Sequence, residues 1–310
     1  MYIGILGATS QIAKDLILSF SAEEAKYLHL FARCPDDVTK WLNNTGLSGR
    51  YLVDDFDAFG TQKFNAILNF VGVGNPAKAA AMGASIFDVT LQYDELALSY
   101  VRQHPACRYI FLSSGAAYGS SFDAPVDVNT NATIAINNLQ PHDWYAVAKL
   151  HAECRHRSLA HLPIVDIRVF NYFSHTQDIE AHFLITDILR AVRDKTILKV
   201  SSECAVRDFL HPSDLYRLIS AILSTSATND VVDCYTLAPV SKLDLLATVK
   251  EKFGLQYEVT DTFSCVNATG SKPYYYSLNR RATDYGYKPG LSSLEGILLE
   301  MSALFPRLIA

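Results

Sequence analysis

The chain has 310 residues, 49% hydrophobic and 19% charged, with a formal net charge of −5. That is enough apolar material for a well-packed soluble globule of one large or two moderate domains. The slightly acidic balance argues against a basic footprint for nucleic acid, and no apolar run is long enough to span a bilayer, so no membrane contact is expected. Any substrate phosphate must therefore be met by local basic groups.

Strands are predicted at Tyr2–Leu6, Tyr27–Ala32, Tyr51–Val53, Ala66–Val71, Tyr109–Ser113 and Ile164–Phe170, with helices near Gln11–Ala22, Ile86–Gln103 and Trp144–Ala160. The strands are continuously apolar, as strands buried on both faces are. Their alternation with helices predicts an α/β fold, a doubly wound parallel sheet with right-handed crossovers. Beyond Phe170 the pattern loosens. Helices are expected near Glu180–Asp194, Pro212–Ser224 and Ser241–Phe253, with short strands near Ile197–Val200 and Val232–Leu237. We read residues 1–170, with 212–237 added, as a dinucleotide domain, and 171–211 with 238–310 as a smaller α/β substrate lobe. The polar stretch Ser120–His142 is long enough for a functional loop and equally suits a surface excursion.

The cysteines, Cys34, Cys107, Cys154, Cys204, Cys234 and Cys265, contain no Cys-x-x-Cys pair. They read as reduced structural thiols in a cytoplasmic protein, with no metal site expected. The chain opens directly on a strand-like segment, leaving no room for a signal peptide. The glycosylation-like triplets at Asn43, Asn131 and Asn267 then carry no meaning.

The first strand runs into Gly7-Ala8-Thr9-Ser10-Gln11-Ile12-Ala13. At this place a dinucleotide fold brings backbone N–H groups and a helix N-terminus to a pyrophosphate. Only Gly7 keeps the glycine pattern; Ser10 and Ala13 are small substitutes. Arg33, not a carboxylate, ends the second strand, which suits the 2′-phosphate of NADP over NAD and equally a solvated surface arginine. Asp36 and Asp37 lie just beyond. Asp54 or Asp55 could accept from the adenine amino group. Phe70, with Gly72 and Gly74, would let the backbone approach the adenosine side, or simply form a turn.

Of the 17 tyrosines, only Tyr145 has a lysine, Lys149, four residues on. That offset places both on one helix face, where the ammonium would favour the phenolate and lower the Tyr145 pKa. Alone, the pair also suits an ordinary amphipathic helix.

Together these features resemble the extended short-chain dehydrogenase/reductase family, in its nucleotide-sugar epimerase/dehydratase branch, along nearly the whole chain. The resemblance is carried by the Gly7 turn, by Phe111-Leu112-Ser113-Ser114-Gly115-Ala116-Ala117-Tyr118-Gly119, by Tyr145-x-x-x-Lys149 and by Arg207-Asp208-Phe209-Leu210-His211-Pro212-Ser213-Asp214-Leu215. It implies Ser114 as the catalytic hydroxyl, with Ser113 as fallback, Tyr145 as general acid/base, and Lys149 as a ribose ligand that lowers the Tyr145 pKa. Arg168-Val169-Phe170-Asn171 resembles the family's Arg-x-aromatic-Asn, implying Phe170 against the cofactor and Asn171 against the sugar or diphosphate. Arg207 and Lys272 would bind the diphosphate, though Arg207 could instead pair with Asp208 or Asp214. Tyr172-Phe173-Ser174-His175 departs from the family in lacking a Pro or Gly.

Four-six dehydratases of this branch carry Asp-Glu where this chain has Gly115-Ala116, so dehydration is disfavoured. The resemblance leaves an NADP-dependent ketoreductase, or a 4-epimerase with tightly held NAD. A non-catalytic NADP-binding sensor or scaffold is a third class, argued against by the complete Ser-Tyr-Lys set. A homodimer through the helices near Ile86–Gln103 and Trp144–Ala160 is implied.

Overall fold

The computed structural model describes residues 1–22, 26–73, 79, 81–119, 122–181, 183–260 and 272–306. Gly74, Cys265 and Asn267 lie outside the described residues. The strands in chain order are β1 (Tyr2–Leu6), β2 (Tyr27–Phe31), β3 (Leu52–Asp54), β4 (Ala66–Asn69), β5 (Arg108–Ser114), β6 (Ile164–Val169), β7 (Asn171–Tyr172), β8 (Ile197–Ser201), β9 (Val206–Arg207), β10 (Phe209–Leu210), β11 (Asp230–Asp233), β12 (Val240–Ser241), β13 (Gln256–Thr260) and β14 (Tyr274–Tyr275).

Seven of them form one parallel sheet in the order β3-β2-β1-β4-β5-β6-β11. This is a Rossmann-like doubly wound sheet, whose order reverses between β1 and β4, opening a crevice at the strands' carboxyl ends. Ile3, Ile5, Ala66, Ile67 and Leu68 are fully buried, as strands covered on both faces require. One face carries the helices Gln11–Phe20, Pro35–Asn44 and Pro212–Ser224, whose Leu16, Val38 and Leu218 join a core with Ile5 and Leu30. The other carries Ser85–Gln103 and Trp144–Ser158, whose Leu98 and Ala152 meet Ile67 and Phe111.

Two short elements beyond the main sheet position the site. β9 pairs with both β12 and β14, and β10 pairs with β7. Helices Leu184–Asp194, Lys242–Phe253 and Ser293–Leu304 close a second core around Ile188, Leu246 and Met301.

Pro35–Asn44 and Ser293–Leu304 are helices beyond those predicted. Both carry legible start signals: Pro35 at the first turn followed by Asp36 and Asp37, and a Ser292/Glu295 capping box. The strand expected at Val232–Leu237 instead runs Asp230–Asp233, where Cys234 N–H still reaches Arg168 O and the chain then leaves the sheet. The stretch Ser120–His142, in its described part, is stitched to residues 274–278. Tyr274 N–H bonds Phe122 O, Val126 N–H bonds Tyr276 O and Leu278 N–H bonds Val126 O.

Candidate active site

The turn after β1 is built for a close backbone approach. Gly7 has φ +82°, and a Cβ there would lie 2.9 Å from Val71 N. Only glycine satisfies both constraints. Ser10 precedes the helix Gln11–Phe20 without capping it through its side chain. The first-turn N–H groups of any helix lack intrahelical partners, so these of Gln11 and Ile12 remain available to an anion. Thr9 is exposed beside them, and Phe70 is buried below, its N–H bonded to Leu6 O. This cradle fits the pyrophosphate of a dinucleotide.

Further along the crevice, Arg33 is exposed just past β2. Asp54 Oδ2 is 2.7 Å from His29 Nε2, and Asp55 Oδ1 accepts from Asp57 and Ala58 N–H. Both carboxylates expected to meet adenine thus have structural duties on one oxygen. Gln11 Nε2 donates to Ser174 Oγ at 2.8 Å. Ser174, Tyr172 and Thr176 hydroxyls all donate to the buried Asp15. That is the physical content of the departure at Tyr172–His175: hydroxyls anchored on Asp15 replace the Pro or Gly turn.

Ser114 ends β5, with its Oγ accepting from Ala116 N–H at 3.2 Å. It thus caps the strand end, and its Oγ also lies 3.3 Å from Tyr275 Oη and close enough to Tyr145 to favour the phenolate. Ser113 points the other way and donates to Glu153 at 2.5 Å in the buried interior, so the fallback hydroxyl is spoken for.

Tyr145 lies in the first turn of the helix Trp144–Ser158, entered through a turn with a Gln140/Asp143 capping box. Lys149 follows one turn later. Its Nζ donates to Leu112 O at 2.7 Å, lies 4.3 Å from the Phe111 ring centroid and 6.0 Å from that of Tyr145. A Cβ on Gly72 would lie 3.6 Å from Lys149 Nζ, so the end of β4 and this ammonium share one floor. Burial pushes Lys149 down to about 8, against the raising effects of Glu153, Asp166 and Asp94. Burial raises the Tyr145 phenol above its ordinary value, with Ser114 opposing. The expected depression of Tyr145 by Lys149 is thus corrected. The ammonium bonds Leu112 O rather than the phenol, and desolvation outweighs the rest.

Behind this group runs a buried chain of charge. Arg168 donates to Glu153 (2.5 Å) and lies 3.5 Å from Asp233, which accepts from Tyr118 and Ser277 hydroxyls. Burial raises Glu153, with Arg168 opposing it. Glu153 was not anticipated, although Tyr145, Lys149 and Glu153 repeat at four-residue spacing along one helix face.

On β9, Arg207 Nη1 donates to Val206 O and Pro273 O, and neither Asp208 nor Asp214 is its partner. Asp208 instead accepts from Thr236 and Ser293, and Asp214 pairs with Arg217. Burial lowers Arg207. Burial and then the nearby Arg207 push Lys272 down to about 8, with Asp143 opposing. Two cations this close and partly buried raise each other's cost of charge, which an anion between them would relieve. Asn171 Nδ2 donates to Asp208 O and Tyr275 O, which clamps β7 to the β9–β10 turn and β14. Its amide nitrogen is therefore committed to backbone. Phe170 is buried against Tyr118, Phe122 and Tyr275. Among the described residues no cluster of three metal-ligating side chains occurs.

Besides Glu153, Tyr275 and Phe122 are site residues that sequence reading did not reach. They come from a two-residue strand and a loop without periodicity; the Tyr274-Tyr275-Tyr276 run is the only signal for Tyr275.

Residues 3–237 match the model of the NAD dependent epimerase/dehydratase family. No curated protein shows significant similarity to the chain. Among solved structures, UDP-glucuronic acid 4-epimerase from Bacillus cereus, in complex with UDP-4-deoxy-4-fluoro-glucuronic acid and NAD, is similar at 17% identity and TM-score 0.78, covering 99% of each chain. UDP-glucose 4-epimerase from Thermotoga maritima with UDP-glucose is similar at 16% identity and TM-score 0.78, covering 99% of this chain and 100% of that one. dTDP-glucose 4,6-dehydratase from Bacillus anthracis in complex with NAD is similar at 15% identity and TM-score 0.77, covering 99% and 97%. The chain belongs to the NAD dependent epimerase/dehydratase family.

Proposed function

We propose that the protein is an NAD(P)-dependent oxidoreductase or epimerase acting on a nucleotide-diphosphate sugar, with ketoreduction at a sugar carbon as its reaction. The observation that carries this is Tyr275, whose hydroxyl lies 3.3 Å from Ser114 Oγ beside the Tyr145–Lys149 helix, while its strand pairs in register with Arg207 and its ring lies 4.8 Å from Lys272 Nζ. In this reading residues 1–170 with 212–237 hold the cofactor, and 171–211 with 238–310 hold the substrate.

When bound, the nicotinamide would supply or remove a hydride at carbon. The Gly7 turn, Thr9, Ser10, Gln11 and Ile12 would hold its pyrophosphate, Phe70 and Gly72 would let it lie close, and Lys149 would bind its ribose. Ser114 donates to the developing oxyanion while the Tyr145 phenol gives its proton to the same oxygen. A phenol held protonated by burial is a proton donor at neutral pH, which supports reduction. Arg207 and Lys272 anchor the diphosphate. Arg33, exposed where β2 ends, supports NADP through its 2′-phosphate. NAD is bound in two of the solved structures above.

A 4-epimerase is the second reading, favoured by the two 4-epimerases among the similar structures. It uses the same residues, with the proton leaving and returning through Tyr145. We further infer a homodimer through the neighbouring helices Ser85–Gln103 and Trp144–Ser158, and a cytoplasmic location, supported by free thiols at Cys34, Cys107, Cys154, Cys204 and Cys234. No described helix is long and apolar enough to cross a membrane.

The test is a thermal-shift screen of NADP and NAD crossed with UDP-, dTDP-, CDP- and GDP-sugars. A bound ligand raises apparent stability by mass action. A shift with one dinucleotide and one nucleotide-sugar class supports the reading; no shift with any of them refutes it.

A further inference from the structure

Two of the three hydrogen-bonding places on Ser114 are already taken. A hydroxyl offers one proton and two lone pairs. Ala116 N–H takes one lone pair at 3.2 Å and Tyr275 Oη takes a second place at 3.3 Å, with the Tyr145 phenol close by. An incoming sugar oxygen that is to meet Ser114 and Tyr145 together competes with the Tyr275 hydroxyl. Tyr145 is fixed on a helix of the main domain, whereas Tyr275 belongs to β14, a two-residue strand of the substrate wall.

β14 is also where the phosphate-binding cations meet. Tyr275 pairs in register with Arg207. Lys272 Nζ lies 4.8 Å from the Tyr275 ring centroid and 5.3 Å from that of Phe122. An ammonium on a ring face is held by the ring's negative potential, an attraction weaker than its pairing with a phosphate. A diphosphate arriving at Arg207 and Lys272 draws that ammonium off the ring whose hydroxyl sits on Ser114.

We propose that the Tyr275 hydroxyl holds the substrate oxygen's place on Ser114 and yields it when a nucleotide-diphosphate sugar binds, which makes Tyr275 a positioning residue that links the phosphate wall to the catalytic hydroxyl. This rests on the nucleotide-sugar reading of the site. The sugar must compete with Tyr275; the nucleoside diphosphate alone does not reach Ser114 and has no such competitor.

Titration calorimetry on the cofactor-loaded protein and its Tyr275→Phe variant tests this, with UDP-glucose against UDP and dTDP-glucose against dTDP. The phenylalanine keeps the ring packed on Phe122 and Phe170 and deletes only the hydroxyl. Removing one competing neutral hydrogen bond tightens binding of the intact nucleotide sugar by about three- to tenfold, with the nucleoside diphosphate unchanged. Unchanged or weaker binding of the sugar nucleotide by the variant, or an equal change for the diphosphate, overturns the proposal. If the wild-type protein binds neither nucleotide sugar while UDP or dTDP binds, the proposed substrate class falls, and this inference with it.

Discussion

Gly115→Ala is a small change with a large local consequence. The added Cβ would lie 2.4, 2.5 and 2.8 Å from Phe170 Cδ1, Cε1 and Cγ, where ordinary contact needs 3.4 Å or more. The Phe170 ring must therefore move, and Tyr118, Phe122 and Tyr275 surround it with centroids at 6.4, 6.4 and 5.2 Å. Overpacking of this kind costs about 1–3 kcal/mol. The same shift pushes Tyr275, and so disturbs Ser114. Urea unfolding should give a lower midpoint at unchanged slope. The double variant Gly115→Ala/Phe170→Leu should recover about 1 kcal/mol relative to the sum of the single changes, because the smaller side chain makes room. A Gly115→Ala protein within about 0.5 kcal/mol of wild type, the scatter expected of neutral surface changes, would refute the clash reasoning. The result bears on chemistry too. A dehydratase-like aspartate at position 115 is larger than alanine and meets the same ring, so this site is shaped against it.

Other consequences are measurable. Activity should fall as pH rises through about 8, because Lys149 loses its proton there, and a kcat/KM profile flat to pH 9.5 would contradict that assignment. His156 is fully buried between Asp166 (2.6 Å) and Asp94 (2.7 Å); burial opposes its charge, yet the two carboxylates outweigh burial and hold it up at about 9. A group raised in the folded state stabilises fully below its unfolded pKa of about 6.5 and ceases to do so above about 9, a difference of about 3 kcal/mol. Unfolding free energy should therefore drop across that window in the wild type and lose most of that drop in His156→Gln. Arg33→Asp should move cofactor preference from NADPH toward NADH by about ten- to hundredfold, the worth of a charge-assisted pair, and an unchanged ratio of Kd values would remove Arg33 from the 2′-phosphate site.

The main sheet was legible because its strands are buried on both faces and read as unbroken apolar runs. β1 falls at Tyr2–Leu6 and the helix Pro212–Ser224 on its predicted bounds. The Tyr145–Lys149 pair was legible because a helix converts a four-residue offset into a shared face. The direction of the Tyr145 pKa was not. It depends on Lys149 bonding Leu112 O and on burial, both set by packing from distant elements. Likewise, Asp208 is engaged by Thr236 and Ser293 from remote parts of the chain and Asp214 by Arg217 one helical turn on, so neither pairs with Arg207. Tyr275 reaches Ser114 across 161 positions, a meeting that no local pattern encodes.

The central claim is that Tyr145 carries the proton. Its most direct test is steady-state turnover of Tyr145→Phe with NADPH and a keto-sugar nucleotide selected by the ligand screen. Loss of a positioned general acid should lower kcat by about 10²–10⁴-fold, while calorimetry finds the nucleotide sugar still bound. A variant that turns over at the wild-type rate would contradict the account.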